Sequence, residues 1–357
     1  MAKVLHAADF HLDSAYVGLS AEQARQRRAE SRAQLAAMVD YANDHGAELM
    51  LLSGDLFDGE NVYAQTGEEL SAALGQFRGQ VVIAPGNHDP YTARSAYARL
   101  PWPQNVHIFT SAQMETLEFP QYGCTVSGAA FTGEEMPAWE GFAAPEGVAI
   151  GLLHGEVGVR DSKYRAISLS QIKDSGFTYL AMGHVHGRTE VQTAGKTAWA
   201  YPGCPEGRGF DELGDKGFYF GEVSEEGVKL DFVPFARHRY EILTVDVTDV
   251  SPREAISRAL PQQTENDSYR IILTGETDEA PDIAALTEEF ASLFYSLELR
   301  DKTSLRRDLW ERMGDDSLRG LFLRNMREKY DAAGTEEERI QVERAVRFGL
   351  DAMDGRE

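Results

Sequence analysis

Over the first 110 residues, short apolar runs alternate with longer stretches of mixed polar and apolar residues. The apolar runs fall at residues 4–8, 49–52 and 81–84, and residues 20–45 and 68–77 carry apolar positions at helical spacing. Strands separated by helices in this order are typical of βαβ units. The pattern therefore predicts a sheet that is covered by helices.

Between residues 120 and 235 the pattern changes to many short strands. Strands on both sides of one core predict a two-sheet α/β sandwich flanked by helices. The predicted strands span residues 125–131, 148–153, 179–182, 197–201, 217–223 and 228–233.

The chain changes character again around Arg237. Strands at 242–247 and 269–274 alternate with helices at 252–260 and 282–294, which predicts a small α+β cap. After Leu299 we expect helices with apolar stripes that either pack onto the rest of the chain or bind a partner. The stripes consist of Leu305, Leu309 and Met313, then Leu318, Leu321, Phe322 and Met326, and finally Val342, Val346, Gly349 and Met353.

Composition narrows the class of protein. No apolar run approaches the roughly 18 to 20 residues needed to span a bilayer, and Asp9 interrupts the N-terminus before a signal-peptide core could form. The two cysteines, Cys124 and Cys204, are not in a metal-binding spacing and fit a reducing compartment. We therefore expect a cytoplasmic protein with no membrane segment. Its net charge of −23 means that binding to nucleic acid needs positive charge from elsewhere.

Five short polar motifs each follow directly after a predicted strand. Their side chains offer carboxylate, imidazole and amide donors, which suit manganese, iron or zinc rather than a structural zinc site. Because the ends of neighbouring strands meet at one sheet edge, these side chains can converge there. The alternative, ordinary turns and caps, requires all five placements to be accidental. The motifs are Asp9-Phe10-His11, Gly54-Asp55-Leu56-Phe57-Asp58, Gly86-Asn87-His88-Asp89, His154-Gly155 and Gly183-His184-Val185-His186.

The five motifs, in this order, resemble the calcineurin-like metallophosphoesterase superfamily over residues 3 to about 235. The segments 52–58 and 201–208 further resemble SbcD-type DNA exonucleases, and especially their YhaO-like bacterial branch. The resemblance implies a two-sheet metallophosphoesterase sandwich that binds two divalent metal ions, for which we expect manganese. It also implies the ligands. Asp9, His11 and His186 would bind the first ion, Asn87, His154 and His184 the second, and Asp55 both.

The resemblance also implies roles for three residues that are not metal ligands. His88 is the expected general acid that protonates the leaving group, and Asp89 is expected to orient its imidazole. Asp58 is expected to support the ligands from behind, although some relatives carry a second histidine at that position.

By the same resemblance, the chain is expected to be a DNA exonuclease subunit in repair or recombination, with endonuclease activity left open. It would act with an SbcC-like, or YhaN-like, coiled-coil ATPase that supplies the basic DNA surface and binds the C-terminal helices. A homodimer also remains open. The alternative enzyme is a phosphodiesterase or phosphatase for a small nucleotide or other phosphoester, and a third alternative is a scaffold with a vestigial site. The expected parts are a catalytic domain (1–236), an α+β capping domain (237–301) and a helical partner-binding segment (302–357).

Overall fold

The computed structural model describes residues 1–16, 19–59, 62–306 and 309–354. Its strands, in chain order, are β1 (Ala2–Ala7), β2 (Leu49–Leu52), β3 (Gln80–Ile83), β4 (Val106–Ile108), β5 (Glu115–Phe119), β6 (Cys124–Gly128), β7 (Val148–His154), β8 (Glu156–Val157), β9 (Ala166–Ile167), β10 (Tyr179–Gly183), β11 (Gln192–Ala194), β12 (Thr197–Ala200), β13 (Gly217–Ser224), β14 (Gly227–Pro234), β15 (Tyr240–Asp246), β16 (Ser268–Thr274), β17 (Glu276–Thr277), β18 (Ser296–Asp301) and β19 (Ser304–Leu305).

The α-helices are α1 (Ala21–Asp44), α2 (Ala64–Gly75), α3 (Ala96–Arg99), α4 (Leu169–Ser175), α5 (Pro252–Ala259), α6 (Ile283–Phe290), α7 (Leu318–Ala332) and α8 (Glu336–Met353). Short 3₁₀ turns span Pro120–Tyr122 and Ala291–Leu293. None of the helices in the described part of the chain is both long and apolar enough to cross a membrane.

Two six-stranded sheets form the centre of the fold. The first has the strand order β14-β13-β1-β2-β3-β4, in which β1 to β4 run parallel. The second has the order β11-β12-β10-β7-β6-β5, in which β6, β7, β10 and β12 run parallel. Parallel strands of this kind are buried on both faces, which explains their continuous apolar sequences.

The two sheets pack face to face and helices cover their outer faces. Val4 and Leu51 of the first sheet share one buried cluster with Ile150 and Tyr179 of the second. Outside the first sheet, α1 and α2 bury a second cluster, and outside the second sheet α4 contributes Ile172 to a third. The predicted α/β sandwich flanked by helices is therefore confirmed.

Helix α1 illustrates how the sequence specifies these elements. Ser20 accepts a hydrogen bond from the backbone N–H of Gln23, whose side chain accepts from the N–H of Ser20, and this capping box fixes the start of the helix. Leu35, Met38 and Ala42 are spaced by three or four residues and lie buried against the first sheet.

The remainder of the chain forms a three-stranded sheet, β15-β16-β18, together with the helices α5 to α8. Two compact units can be distinguished. One contains residues 1–242, 262–270 and 290–297, and the other contains 243–261, 271–289 and 298–357. The domain limits at 236 and 301 that the sequence suggested stay predictions.

The prediction of helix after Leu299 is wrong at its start. Strand β18 continues to Asp301, and the backbone N–H of Arg306 then donates to the carbonyl of Thr277, which continues the pairing of β19 with β17. Leu305, Leu309 and Met313 therefore share no helix face, and the first helix begins only after the cap residue Ser317. Residues 307–308 and 355–357 of the predicted helical segment lie outside the described residues.

The other two stripes lie on α7 and α8, which pack against each other. The ring of Phe322 occupies the space beside Gly349, where any larger side chain would collide with it. Leu323 and Val346 are buried, and Arg319 forms an ion pair with Asp354 at 2.5 Å. The two apolar stripes therefore bury part of each other's surface within this helical hairpin.

Candidate metal centre

The predicted ligands come together where parallel strands end. Asp9 and His11 follow β1, Asp55 follows β2 and Asn87 follows β3, so all four lie at the carboxyl edge of the first sheet. His154 ends β7, while His184 and His186 follow β10, its parallel neighbour in the second sheet. The site therefore lies where the carboxyl edges of the two sheets meet.

At these strand ends, four residues adopt φ angles that are rare for residues other than glycine. Asp9, His11, Asp55 and His184 all have positive φ angles, of 58°, 44°, 52° and 108°. Such angles cost roughly 1 to 3 kcal/mol each for residues other than glycine, and they concentrate at functional sites. They let one short loop point several polar side chains at the same place.

Glycines next to the ligands leave room for close backbone approach. A Cβ atom on Gly86 would collide with the carboxylate of Asp55, and one on Gly183 would collide with the carbonyl of Ser53. Gly54 also has a positive φ of 89°. Each of these positions therefore requires glycine for the site to assemble.

The first group of ligand atoms consists of Asp9, His11 and His186, whose atoms lie within 4.8 Å of one another. The Nε2 atoms of His11 and His186 are 3.1 Å apart. Asp58 lies behind this group, where its Oδ1 is 2.9 Å from Nδ1 of His11. Because a carboxylate can only accept, Nδ1 of His11 carries the hydrogen and Nε2 keeps a free lone pair for a cation.

Glu212 supports His186 in the same way, and sequence reasoning missed it. This glutamate is buried, and its Oε1 lies 2.6 Å from Nδ1 of His186. The Arg208 guanidinium donates to the same oxygen at 2.9 Å, and the Arg208 backbone N–H donates to Oε2 at 2.7 Å. The only sequence signal was a carboxylate in the glycine-rich loop that also contains Arg208.

The loop that carries Glu212 is anchored by a buried ion pair. Arg27, 1% exposed on α1, donates to Glu206 at 2.8 Å and to the carbonyl of Gly207 at 2.9 Å. Glu206 also accepts from the side chain of Gln34 at 3.0 Å. Breaking such a pair is costly because one charge would stay buried without a partner, so the loop is held firmly.

The second group of ligand atoms consists of Asp55, His154 and His184. The side-chain oxygen of Asn87 joins it, at 3.0 Å from Nε2 of His154 and 2.9 Å from Nδ1 of His184. The other ring nitrogen of His154 donates to the carbonyl of Ser53 at 2.7 Å, so Nε2 is the nitrogen that faces the cation position.

Asp55 lies between the two groups. Its Oδ2 is 3.4 Å from Nε2 of His154 and 3.7 Å from Nε2 of His11. One carboxylate that faces a histidine of each group has the position expected of a bridging ligand.

The residues present fit two divalent cations. Atoms bound to one cation at about 2.1 Å lie roughly 3.0 to 3.4 Å from each other. The 3.1 Å between His11 and His186 and the 2.9 to 3.0 Å from Asn87 to His184 and His154 are close to that range. Asp9 and Asp55 are also buried, at 1% exposure each, with no lysine or arginine hydrogen-bonded to either carboxylate among the described residues. Buried carboxylates need positive charge, and two divalent cations would supply it.

The pKa values of the site follow from burial and from these carboxylates. Burial lowers the pKa of His11 and of His184 to about 4, so both imidazoles are neutral near pH 7 and can bind a cation. Burial would also lower the pKa of His154, but Asp55 outweighs this effect and raises that pKa to about 9. A cation must therefore displace a proton from His154, and this competition weakens metal binding as the pH falls.

His88 lies beside the ligands at the open side of the site. Its exposed ring packs edge-on against His11 with 4.7 Å between ring centroids, and its backbone N–H donates to Asp55. It lines a cavity of about 640 Å³ together with Asp58, Asn87, Glu134 and Tyr164. A substrate in this cavity would meet the His88 imidazole next to the metal centre.

The structure corrects the role expected of Asp89. Its carboxylate is buried and does not contact the His88 imidazole, because both oxygens already accept hydrogen bonds. The donors are the backbone N–H groups of Asp55, Leu56, Phe57 and Gly86 and the hydroxyl of Tyr97, at 2.6 to 3.1 Å. Asp89 thus fixes the loop that presents Asp55.

Cys204 and Arg188, which lie near the motifs in the sequence, contact groups other than the ligand atoms. The thiol of Cys204 is buried, and its Sγ lies 3.8 Å from the carbonyl of His186. Arg188 pairs with Glu190 at 3.1 Å and lies over the ring of Phe232. Neither side chain belongs to the ligand groups described above.

An α/β sandwich with carboxylate, imidazole and amide donors grouped around two cation positions defines the class of two-metal hydrolases. Comparison with known proteins agrees. Residues 2–188 match the family described as calcineurin-like phosphoesterase, so the chain belongs to the calcineurin-like phosphoesterase family and is a metal-dependent hydrolase. Metallophosphoesterases use a binuclear divalent metal site, and the two groups of ligand atoms described above are candidates for it.

Two curated relatives refine this placement. The chain is 32% identical over 267 residues to the uncharacterized metallophosphoesterase YhaO of Bacillus subtilis, an alignment covering 71% of this chain and 65% of that relative. It is also 36% identical over 93 residues to the SbcD subunit of the nuclease SbcCD of Rhodobacter capsulatus, covering 25% of this chain and 22% of the relative. The chain thus aligns with less than two thirds of either relative's length.

Proposed function

We propose that the chain is a manganese-dependent DNA exonuclease and the nuclease subunit of a complex with an SbcC-like ATPase. The observation that carries the proposal is the two-cation site at the base of an open cavity of about 640 Å³, which gives a polymer strand access. The partial similarity to a nuclease subunit supports the same substrate.

An aromatic side chain in this cavity suits a nucleic-acid substrate. Tyr164 is 36% exposed, and its ring centroid lies 4.9 Å from that of His184. Exposed aromatic rings stack on bases whatever the sequence, at about 1 to 3 kcal/mol per base. Tyr164 would therefore hold a base close to the phosphodiester that is cleaved.

The residues around the cavity would divide the chemistry as follows. When bound, two divalent cations neutralise the phosphate oxygens and lower the pKa of the attacking water. Asp58 and Glu212 would keep the lone pairs of His11 and His186 directed at the first cation. His88 would donate its proton to the leaving oxygen, a role that a positioned imidazole commonly takes in general acid catalysis.

The proposed partner would bind the helical hairpin of α7 and α8. After these helices have packed on each other, Phe348 is still 77% exposed, Leu318 73% and Leu321 52%. Exposed apolar groups on neighbouring helices are typical of protein interaction sites. A partner bound there would also bring positive charge to a chain whose net charge is −23.

The function is tested by measuring manganese-dependent hydrolysis of linear duplex DNA and of bis(p-nitrophenyl) phosphate, each with and without an SbcC-like ATPase. We expect both substrates to be hydrolysed and DNA degradation to be stimulated by the ATPase and ATP. Hydrolysis of the small diester without any DNA degradation under either condition would favour the small-substrate phosphodiesterase instead.

The docking surface is tested with single charges in the full-length chain. Phe348→Glu should abolish co-purification with the ATPase while hydrolysis of the small diester is retained. Leu169→Glu is the matched control, because Leu169 is 53% exposed but lies on α4 of the catalytic sandwich. If both variants bound the ATPase equally well, the proposed docking surface would be wrong.

A further inference from the structure

A second, smaller cavity of about 190 Å³ lies on the loops that also form the catalytic cavity. Its walls include Tyr63, Arg94 and Arg99, together with Val62, Gly67 and Leu100. We infer that this cavity binds one nucleotide of a DNA single strand next to the cleaved bond, with the base on Tyr63 and the phosphate on Arg94 and Arg99. The inference rests on the proposed function and adds a nucleotide-binding subsite next to the metal centre.

Tyr63 has the environment of a stacking platform rather than of a core residue. It directly precedes helix α2 and is 64% exposed, and its side chain makes no hydrogen bond to cap that helix. Its backbone N–H donates to Asp13 at 3.2 Å, and Asp13 also accepts from the hydroxyl of Thr66 at 2.7 Å. The backbone is thus held in place while the ring is open to a ligand, an arrangement that favours base stacking.

The charge of the cavity is opposite to that of the chain. Neither Arg94 nor Arg99 has an acidic partner among the described residues, and the described lining contains no carboxylate. The catalytic cavity, in contrast, is lined by Asp58 and Glu134. In a chain with a net charge of −23, two guanidiniums at one cavity form a local site for a phosphate group, which they can bind through paired hydrogen bonds.

The connectivity places the two cavities within reach of one strand of DNA. Gly59 and Thr92 line the catalytic cavity, and on the same two loops Val62 and Arg94 line the smaller one. Thr92 and Arg94 are two residues apart, a separation that extended chain spans in at most about 7 Å. A strand with one phosphate at the metal centre therefore reaches the smaller cavity within a few nucleotides.

The test is the binding of a fluorescein-labelled 12-nucleotide single strand, measured by anisotropy in EDTA so that hydrolysis is prevented. Tyr63→Ala should weaken binding by roughly 5- to 100-fold, whereas Tyr63→Phe should bind like the wild type because it keeps the ring. Arg94→Gln and Arg99→Gln should each weaken binding. Each should also lower the slope of log K against log salt by roughly 0.7 for every phosphate group that the variant no longer neutralises.

Arg78→Gln is the matched charge control, because Arg78 is exposed and lies just before β3, at the opposite end of that strand from the site. Wild-type binding by both Tyr63→Ala and Arg94→Gln would overturn the inference, as would an Arg78→Gln variant that binds as weakly as Arg94→Gln. So would a wild-type chain that degrades DNA but does not bind the strand in EDTA. A wild-type chain that neither binds nor degrades DNA, with or without the ATPase, would instead refute the proposed function.

Discussion

Replacing Glu212 by alanine should weaken the first metal site and spare the second. Glu212 Oε1 lies 2.6 Å from Nδ1 of His186 and is the contact that holds that ring. Without it, His186 can rotate away from the first cation. The Arg208 guanidinium, 3.1 Å from the same nitrogen, also loses one of its two acidic partners and keeps Asp58 at 3.4 Å. Both effects weaken the binding of the first cation, so both reduce its affinity.

The expected size follows from the behaviour of carboxylates behind metal-binding histidines. Their removal typically costs 10- to 100-fold in metal affinity, or about 1.4 to 2.7 kcal/mol. Asp55, His154 and His184 form the second group without contact to Glu212, so their cation should keep its affinity. Glu212→Gln should have a smaller effect, because its amide oxygen can still accept from His186.

Equilibrium dialysis against graded manganese, followed by inductively coupled plasma analysis, measures this directly. We expect two ions per chain for the wild type and about one for Glu212→Ala at concentrations that just saturate the wild type. Glu190→Ala is a suitable control, since Glu190 is 80% exposed and its ion pair in the described part of the chain is with Arg188. If Glu212→Ala bound two ions with wild-type affinity, or lost both ions in parallel, Glu212 would not selectively support the first metal site.

Three further changes test two other residues of the site and His6, a buried histidine of strand β1. Asp55→Asn should lose both ions, because a neutral amide cannot bridge two divalent charges; retention of about two ions would exclude the bridge. His88→Ala should keep both ions but lower DNA turnover by roughly 100- to 10,000-fold. Hydrolysis of bis(p-nitrophenyl) phosphate, whose leaving group needs no proton, should fall much less, and equal losses would remove His88 from the acid role. Burial lowers the pKa of His6 from 6.5 to about 3, so the unfolded chain binds a proton more readily and stability falls as the pH drops from 6.5 towards 3. In urea unfolding with EDTA, His6→Gln should lose about 1.4 kcal/mol less than the wild type between pH 7.5 and 5.5; identical losses would show that His6 titrates normally.

Local sequence specified much of the fold. The strands β1, β2, β7 and β10 are mostly apolar, and each leads directly into a polar motif. The strand ends, where the ligand side chains emerge, could therefore be located without a structure. A strand buried on both faces needs apolar residues throughout, and a metal ligand needs a specific donor atom. Both requirements act on single residues, so both are visible in the sequence.

Tertiary structure alone decided which residues support those ligands. Asp89 follows His88 in the chain, yet its carboxylate binds the loop of Asp55, because a buried carboxylate takes whichever N–H groups the fold brings to it. Glu212 reaches His186 across 26 residues, and Arg27 reaches Glu206 across 179. No sequence periodicity marks such contacts, because the partners meet only after the sheets have packed.

The dependence on contacts between distant segments also explains why a helix was wrongly predicted directly after Leu299. The residues of β18 and β19 could continue a helical pattern, but hydrogen bonds to distant strands hold them extended, as when the Arg306 N–H donates to the Thr277 carbonyl. Hydrogen bonds between strands depend on what lies alongside rather than on the local residues. Donor types and strand ends were thus determined by the sequence itself, whereas supporting contacts and strand pairing were decided by the packing of distant segments.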